Sequence, residues 1–149
     1  MRNFLIKTIS SFFYVGYLPL LPGTFGSIAA SVVIWLLKDN PTGYFAFGIL
    51  ITLAGFIVSA AAEKIFKRED AECIVIDEVA GMFLSLLFLP INALSLFCAF
   101  LLFRGFDAMK IYPADKLQRL GGSMGVMLDD IVAAVYTNLI LQVSFRLFS

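Results

Sequence analysis

The stretch Tyr44-Phe45-Ala46-Phe47-Gly48-Ile49-Leu50-Ile51-Thr52-Leu53-Ala54-Gly55-Phe56-Ile57-Val58-Ser59-Ala60-Ala61-Ala62 carries no charged side chain. It approaches the roughly 20 apolar residues needed to span a bilayer as a helix. Four further apolar runs flank it: Ser27 to about Leu37, Val79 to Leu89-Pro90, Ala93 to Phe103, and Ile131 to about Phe145. Each is short and crosses only if neighbouring polar residues extend its helix. The pattern predicts a polytopic helical membrane bundle of about five apolar helices, preceded by an amphipathic N-terminal segment. No repeat or linker divides residues 1–149, so one domain is expected.

Composition supports lipid as the surrounding medium. Apolar residues make up 60% of the 149 and charged residues 15%, with a mean hydropathy of +0.93. A soluble domain carries about a quarter charged residues, so this chain cannot coat itself for water. Net charge is zero and there is no basic block, which argues against a nucleic-acid partner. The N-terminal Met1 to Leu21 lacks a small-residue cleavage site and is read as retained. Cys73 and Cys98 lie in or beside apolar runs, form no spaced framework and are expected to be two buried thiols without a disulfide. The chain has no histidine, which excludes Ser-His-Asp and Cys-His catalysis and histidine-bound zinc. Hydrolytic chemistry here must use carboxylates, cations and a hard metal.

Lysine and arginine accumulate on the cytoplasmic side of membrane proteins. With the N-terminus inside and five crossings, Arg2, Lys7, Lys64, Lys67, Arg68, Arg104, Lys110, Lys116 and Arg119 are cytoplasmic. Only Lys38 and Arg146 fall outside. The same arrangement brings four motifs, distant in sequence, to the cytoplasmic layer.

Asp77-Glu78 interrupts an apolar run, where paired carboxylates are costly unless neutralised by cations or a metal. The plainer alternative is an interfacial pair touching water. Arg104, Asp107 and Lys110, at i, i+3 and i+6, fall within about a third of a helix circumference. Two cations there can grip phosphate oxygens while the aspartate holds metal or orients the arginine; a snorkelling helix end is the alternative. Gly121-Gly122-Ser123-Met124-Gly125 reads as a glycine-rich turn at a helix start and leads into Asp129-Asp130, a pairing that suits anion binding and Mg²⁺ but also fits an N-terminal charge pair on the helix dipole. Pro22-Gly23-Thr24-Phe25-Gly26-Ser27 reads as a turn and helix start. Cys98 and Arg104 match the Cys-x5-Arg spacing of thiolate phosphatases, but bulky apolar residues between them cannot form the phosphate-cradling loop, and an apolar helix does not activate a thiol.

Together these segments, in this order, resemble the phosphatidylglycerophosphatase A family. The pieces are Pro22-Gly23-Thr24-Phe25-Gly26-Ser27, Asp77-Glu78-Val79-Ala80-Gly81, Phe103-Arg104-Gly105-Phe106-Asp107-Ala108-Met109-Lys110 and Gly125-Val126-Met127-Leu128-Asp129-Asp130. The likeness runs from about Gly16 to Tyr136. It departs in having Ile111-Tyr112 before Pro113, Ser123 for a glycine, and Ala134 for a frequent glycine. The resemblance implies an all-α, multi-pass enzyme of the bacterial inner membrane with its active site facing the cytoplasm. Its reaction would be Mg²⁺-dependent hydrolysis of phosphatidylglycerophosphate to phosphatidylglycerol and inorganic phosphate.

On this reading Asp77, Glu78, Asp107, Asp129 and Asp130 are the candidate metal ligands and catalytic carboxylates. Arg104, Lys110 and Thr24 are the candidate substrate contacts, and the partners are a phospholipid substrate and the bilayer. The rival from another class is a small transporter or channel subunit using the same charges along an ion path. A phosphatidyl-transfer enzyme also uses aspartates and Mg²⁺, but its long Asp-rich signature is absent.

Overall fold

The computed structural model describes residues 1–67 and 71–148. Arg68, counted above among the cytoplasmic basic residues, lies outside the described residues. Among those described there are seven α-helices and no strand. They are α1 (Arg2–Ser10), α2 (Pro22–Leu36), α3 (Pro41–Phe66), α4 (Ile76–Ser85), α5 (Ala93–Met109), α6 (Ala114–Gln118) and α7 (Gly122–Phe148), with a 3₁₀ turn at Val15–Tyr17.

The helix starts follow local chemistry. Proline opens α2 and α3, where its missing N–H costs nothing. Asn40 caps α3 by accepting from Gly43 N–H at 2.9 Å. Asn92 and Ser95 form a reciprocal capping box at the start of α5.

Among the described residues, only α3 and α7 are long and apolar enough to cross a membrane. This corrects the expectation of about five crossing helices. At ~1.5 Å per residue, α2 with 15 residues, α4 with 10 and α5 with 17 fall short of a ~30 Å hydrocarbon core. Loops and caps claim the residues that would have extended them. α3 presents Ile49, Leu50, Leu53 and Ile57 outward, and only 28% of its most apolar window is buried. A soluble core helix would be enclosed, so α3 fits a membrane-associated protein.

The short helix α4 occupies the centre. Ile76, Val79, Ala80, Met82 and Phe83 are almost wholly buried, as expected of a helix that is apolar all round after its first, acidic turn. α4 packs against α2, α3, α5 and α7. Packing between helices in lipid depends on small residues and close fit. Gly81 sits against the Phe103 ring of α5, and Gly55 of α3 against the Met127 thioether of α7. Carbonyls at and just past the end of α4 are satisfied from outside: the Asn138 side-chain amide donates to Ser85 O at 3.1 Å and to Leu87 O, two residues beyond the helix, at 2.9 Å, and the Tyr44 hydroxyl donates to Phe83 O. These bonds hold the C-terminal end of α4, leaving its N-terminal end to meet α2, α5 and α7.

α3 and α7 run antiparallel. The Ser123 hydroxyl accepts from Ala60 N–H at 2.8 Å near the end of α3 and the start of α7. Lys7 stacks on Phe66 with its Nζ 5.6 Å from the ring centre, and Val75 N–H donates to Ser10 O at 2.9 Å. The N-terminal segment is thereby tied to the same end of the bundle.

Candidate functional site

Asp77 and Glu78 stand in the first turn of α4, where the helix dipole favours negative charge. Asp107 is in the last turn of α5. Asp129 and Asp130 lie roughly two turns inside α7, not at its start. The dipole explanation for that pair fails, because the effect fades beyond the first turn. The glycine-rich stretch was expected to be a turn, yet from Gly122 onward it is helical. Ser123 bonds α3, and any side chain at Gly125 would press on the Gln118 carbonyl of α6 at 2.7 Å. These residues pack helices together rather than cradling an anion.

One carboxylate oxygen from each of Asp77, Glu78 and Asp130 lies within 4.8 Å of the others, and the same holds for Asp107, Asp129 and Asp130. Asp130 belongs to both groups. Lys110 Nζ donates to Asp107 Oδ1 at 2.7 Å and to Asp129 Oδ2 at 2.5 Å. Arg104 Nη1 donates to Asp107 Oδ2 at 2.5 Å and lies 3.9 Å from Glu78 Oε1. The charges read in sequence as i, i+3 and i+6 thus close into one network spanning α4, α5 and α7.

Lys110 ends α5 at φ 45°, a left-handed conformation that costs a non-glycine residue on the order of 1 kcal/mol. Such strain gathers at functional sites. Burial alone would lower its pKa, but the Asp107 and Asp130 carboxylates outweigh that and hold the ammonium above the usual lysine range.

The donor set fits a hard divalent cation. Asp77, Glu78, Asp107, Asp129 and Asp130 outnumber Arg104 and Lys110, and Asp77, Asp107, Asp129 and Asp130 are buried. Glu78 Oε2 and Asp130 Oδ2 are enclosed with no hydrogen-bond donor among the described residues. A buried carboxylate oxygen with no donor is costly, and ligation by an oxygen-preferring cation removes the cost.

Thr24 is half-buried in the first turn of α2, and no described hydrogen bond joins its hydroxyl to the acidic cluster. The contact comes from its neighbour. Gly23 faces the Glu78 carboxylate so closely that an added Cβ would collide with Oε1, and Arg104 Nη1 would stand 3.2 Å away. Sequence reasoning weighed the hydroxyl and passed over this glycine; the Pro22-Gly23-Thr24 motif was the available signal. Cys98 sits mid-helix in α5, away from this network; no disulfide joins it to Cys73, and both are half-buried rather than buried.

The chain matches the model of the family described as Phosphatidylglycerophosphatase A over residues 8–145. It is 34% identical to the Phosphatidylglycerophosphatase A of Escherichia coli, covering 80% of this chain and 72% of that protein. The Haemophilus influenzae protein of the same description is 32% identical over 80% of this chain and 76% of its own. A Bacteroides thetaiotaomicron protein described as "Putative phosphatidylinositol-3-phosphatase" is 32% identical, over 95% of this chain and 94% of its own. No solved structure matches.

Proposed function

The chain belongs to the phosphatidylglycerophosphatase A family, and from that premise we propose a Mg²⁺-dependent enzyme that hydrolyses phosphatidylglycerophosphate to phosphatidylglycerol and inorganic phosphate. The observation that carries this reading is the pair of carboxylate groups sharing Asp130, flanked by Arg104 and Lys110. Asp77, Glu78, Asp107, Asp129 and Asp130 would hold one or two Mg²⁺ ions. When bound, Mg²⁺ offsets phosphoryl charge and acidifies a coordinated water.

The protein's own groups supply the rest. Lys110 fixes the Asp107 and Asp129 carboxylates in place. Arg104 has five N–H donors, and those its carboxylate partners do not use are free to meet phosphate oxygens as charge develops. Thr24 adds a hydroxyl at the start of α2. A water oxygen attacks phosphorus, a carboxylate of the cluster accepts its proton, and the P–O bond to glycerol breaks as that carboxyl group passes a proton to the leaving oxygen. Direct attack by water is preferred to a covalent phosphoenzyme.

Lys7, Lys64, Lys67, Lys116 and Arg119 fall near the bundle end shared by the α3 C-terminus and the α7 N-terminus, and Lys38 and Arg146 lie toward the other, while Arg104 and Lys110 sit with the cluster about two turns inside α7. This bias of basic residues supports a cluster reached from the cytoplasmic side, in the inner membrane of a bacterium.

A second substrate is favoured by one finding: the near-complete overlap with the phosphatidylinositol-3-phosphatase relative. Both substrates are lipid phosphomonoesters, and the carboxylates and cations of the cluster suit the phosphate they share. Phosphate release by purified protein in detergent, from phosphatidylglycerophosphate and phosphatidylinositol 3-phosphate side by side, separates them. We expect a higher kcat/KM for the former; the reverse order would reassign the substrate, and no release from either would return the charges to an ion path.

A further inference from the structure

Among the described residues, apolar grooves open on the outer face of the bundle, and one ends a single helical turn from Thr24 and Arg104. It lies between α2 and α5, has a volume of about 560 Å³, and is lined by Ile28, Ser31 and Trp35 on one side and Leu96, Phe97 and Phe100 on the other. Helix geometry explains its direction. Ile28, Ser31 and Trp35 follow Thr24 at i+4, i+7 and i+11, and Phe100 and Phe97 precede Arg104 at i−4 and i−7, so each wall is one helical stripe ending in a candidate phosphate contact. Arg104 reaches across to the start of α2, where its Nη1 would stand 3.2 Å from a Cβ on Gly23.

Of two other apolar grooves, neither has a candidate phosphate contact at the end of both walls. The one between α5 and α7 reaches Leu102, two residues from Arg104, on its α5 wall, but its α7 wall stops at Leu141, roughly 16 Å of helix from Asp130. The one between α3 and α4 is lined by Tyr44 and Phe88, at the opposite end of α4 from Asp77.

We propose that the α2–α5 groove seats an acyl chain of the phospholipid whose phosphate is held at Arg104. This deepens the lipid-phosphatase reading above and rests on it. Dimensions support a chain as the occupant: Trp35 lies about 16 Å along α2 from Thr24, close to the ~15 Å depth of one leaflet's hydrocarbon. The charge pattern also fits, with the apolar lining giving way one helical turn further on to a cation, Arg104, and a hydroxyl, Thr24. A lipid anchored this way presents its headgroup at the cluster while its tail stays in the bilayer.

Trp35 is the chain's single tryptophan and is 40% exposed in the groove, so its fluorescence reports occupancy. The probes are phosphatidic acid and phosphatidylcholine, each spin-labelled near the end of one acyl chain, at equal low mole fraction in uncharged detergent micelles. The expected result is quenching of Trp35 several-fold stronger by the phosphomonoester lipid. Filling the groove with Ser31→Phe should remove that preference and lower the ratio of kcat/KM for long-chain over dihexanoyl substrate about tenfold, what losing contact with two methylenes amounts to. Ser144→Phe, in the α5–α7 groove, should leave both readouts as in the wild type. Phe97→Ala, which removes one exposed wall, serves if Ser31→Phe does not fold and should weaken the preference. Equal quenching by the two lipids, or a preference that survives both groove variants, overturns the proposal even if the enzyme hydrolyses its substrate. Selective quenching without hydrolysis of any lipid phosphomonoester keeps the groove and removes the phosphatase reading.

Discussion

Gly23→Ala separates catalytic geometry from fold stability. The added Cβ would overlap Glu78 Oε1 and stand 3.2 Å from Arg104 Nη1. An ordinary carbon–oxygen contact is well over 3 Å, so the carboxylate must retreat by about 1 Å or more. Glu78 Oε1 is the tip of a flexible side chain, and rotating it away is cheap. Alanine is also the better helix former by ~1 kcal/mol in a helix interior, which offsets part of the strain. Net stability should therefore change by under ~1 kcal/mol, or about 2–4 °C in Tm for a chain of this size. Displacing a group by ~1 Å at a reacting centre costs about 10²-fold in rate, near 2.7 kcal/mol of barrier. The assay is phosphate release from phosphatidylglycerophosphate beside a melting curve of the same preparation. A kcat/KM within threefold of wild type would refute the assignment of Glu78 to the working geometry. A collapse of Tm would show that Gly23 is a packing residue.

Gly81→Ala should behave in the opposite way: its Cβ would meet the fully buried Phe103 ring at 2.5 Å, and an overpacked core loses about 1–3 kcal/mol, read as a fall of several degrees in Tm. Lys110→Met removes the ammonium that joins Asp107 to Asp129 and should reduce kcat at least 10²-fold, and Lys110→Arg should rescue poorly because the planar fork does not replace a compact charge. Saturating Mg²⁺ should raise the Tm of the wild type, by ~2.7 kcal/mol of stability at 100 times Kd, and leave Asp130→Asn unmoved; equal shifts in both would remove Asp130 from the metal site.

Much of the site was legible because its chemistry is written in charge. Carboxylates and cations are rare in so apolar a chain, so Asp77-Glu78, Arg104, Asp107, Lys110 and Asp129-Asp130 stand out, and the structure brings them within reach of one another. The helical class was legible from the long run at Tyr44–Ala62, which widens to Pro41–Phe66. Boundaries set by tertiary contact were not legible. α4 was expected from about Val79 to Leu89, but it begins at Ile76 and stops at Ser85, because Asn138 and Tyr44 satisfy its final carbonyls from distant helices. Glycine propensity made Gly122 to Gly125 look like a turn, whereas close packing against α3 and α6 draws them into α7. The five-residue α6 is too short to show a period. Gly23 carries no charge, and what it contributes is the absence of a side chain, visible only once Glu78 is placed beside it.

The central claim is that the cluster around Asp130 hydrolyses a lipid phosphomonoester with Mg²⁺. Its most direct test is phosphate release from phosphatidylglycerophosphate by wild-type and Asp130→Asn protein in detergent, each with Mg²⁺ and with EDTA. The account predicts release by the wild type with Mg²⁺ alone, with Asp130→Asn folded and inactive. Undiminished release in EDTA, or full activity in Asp130→Asn, would contradict it.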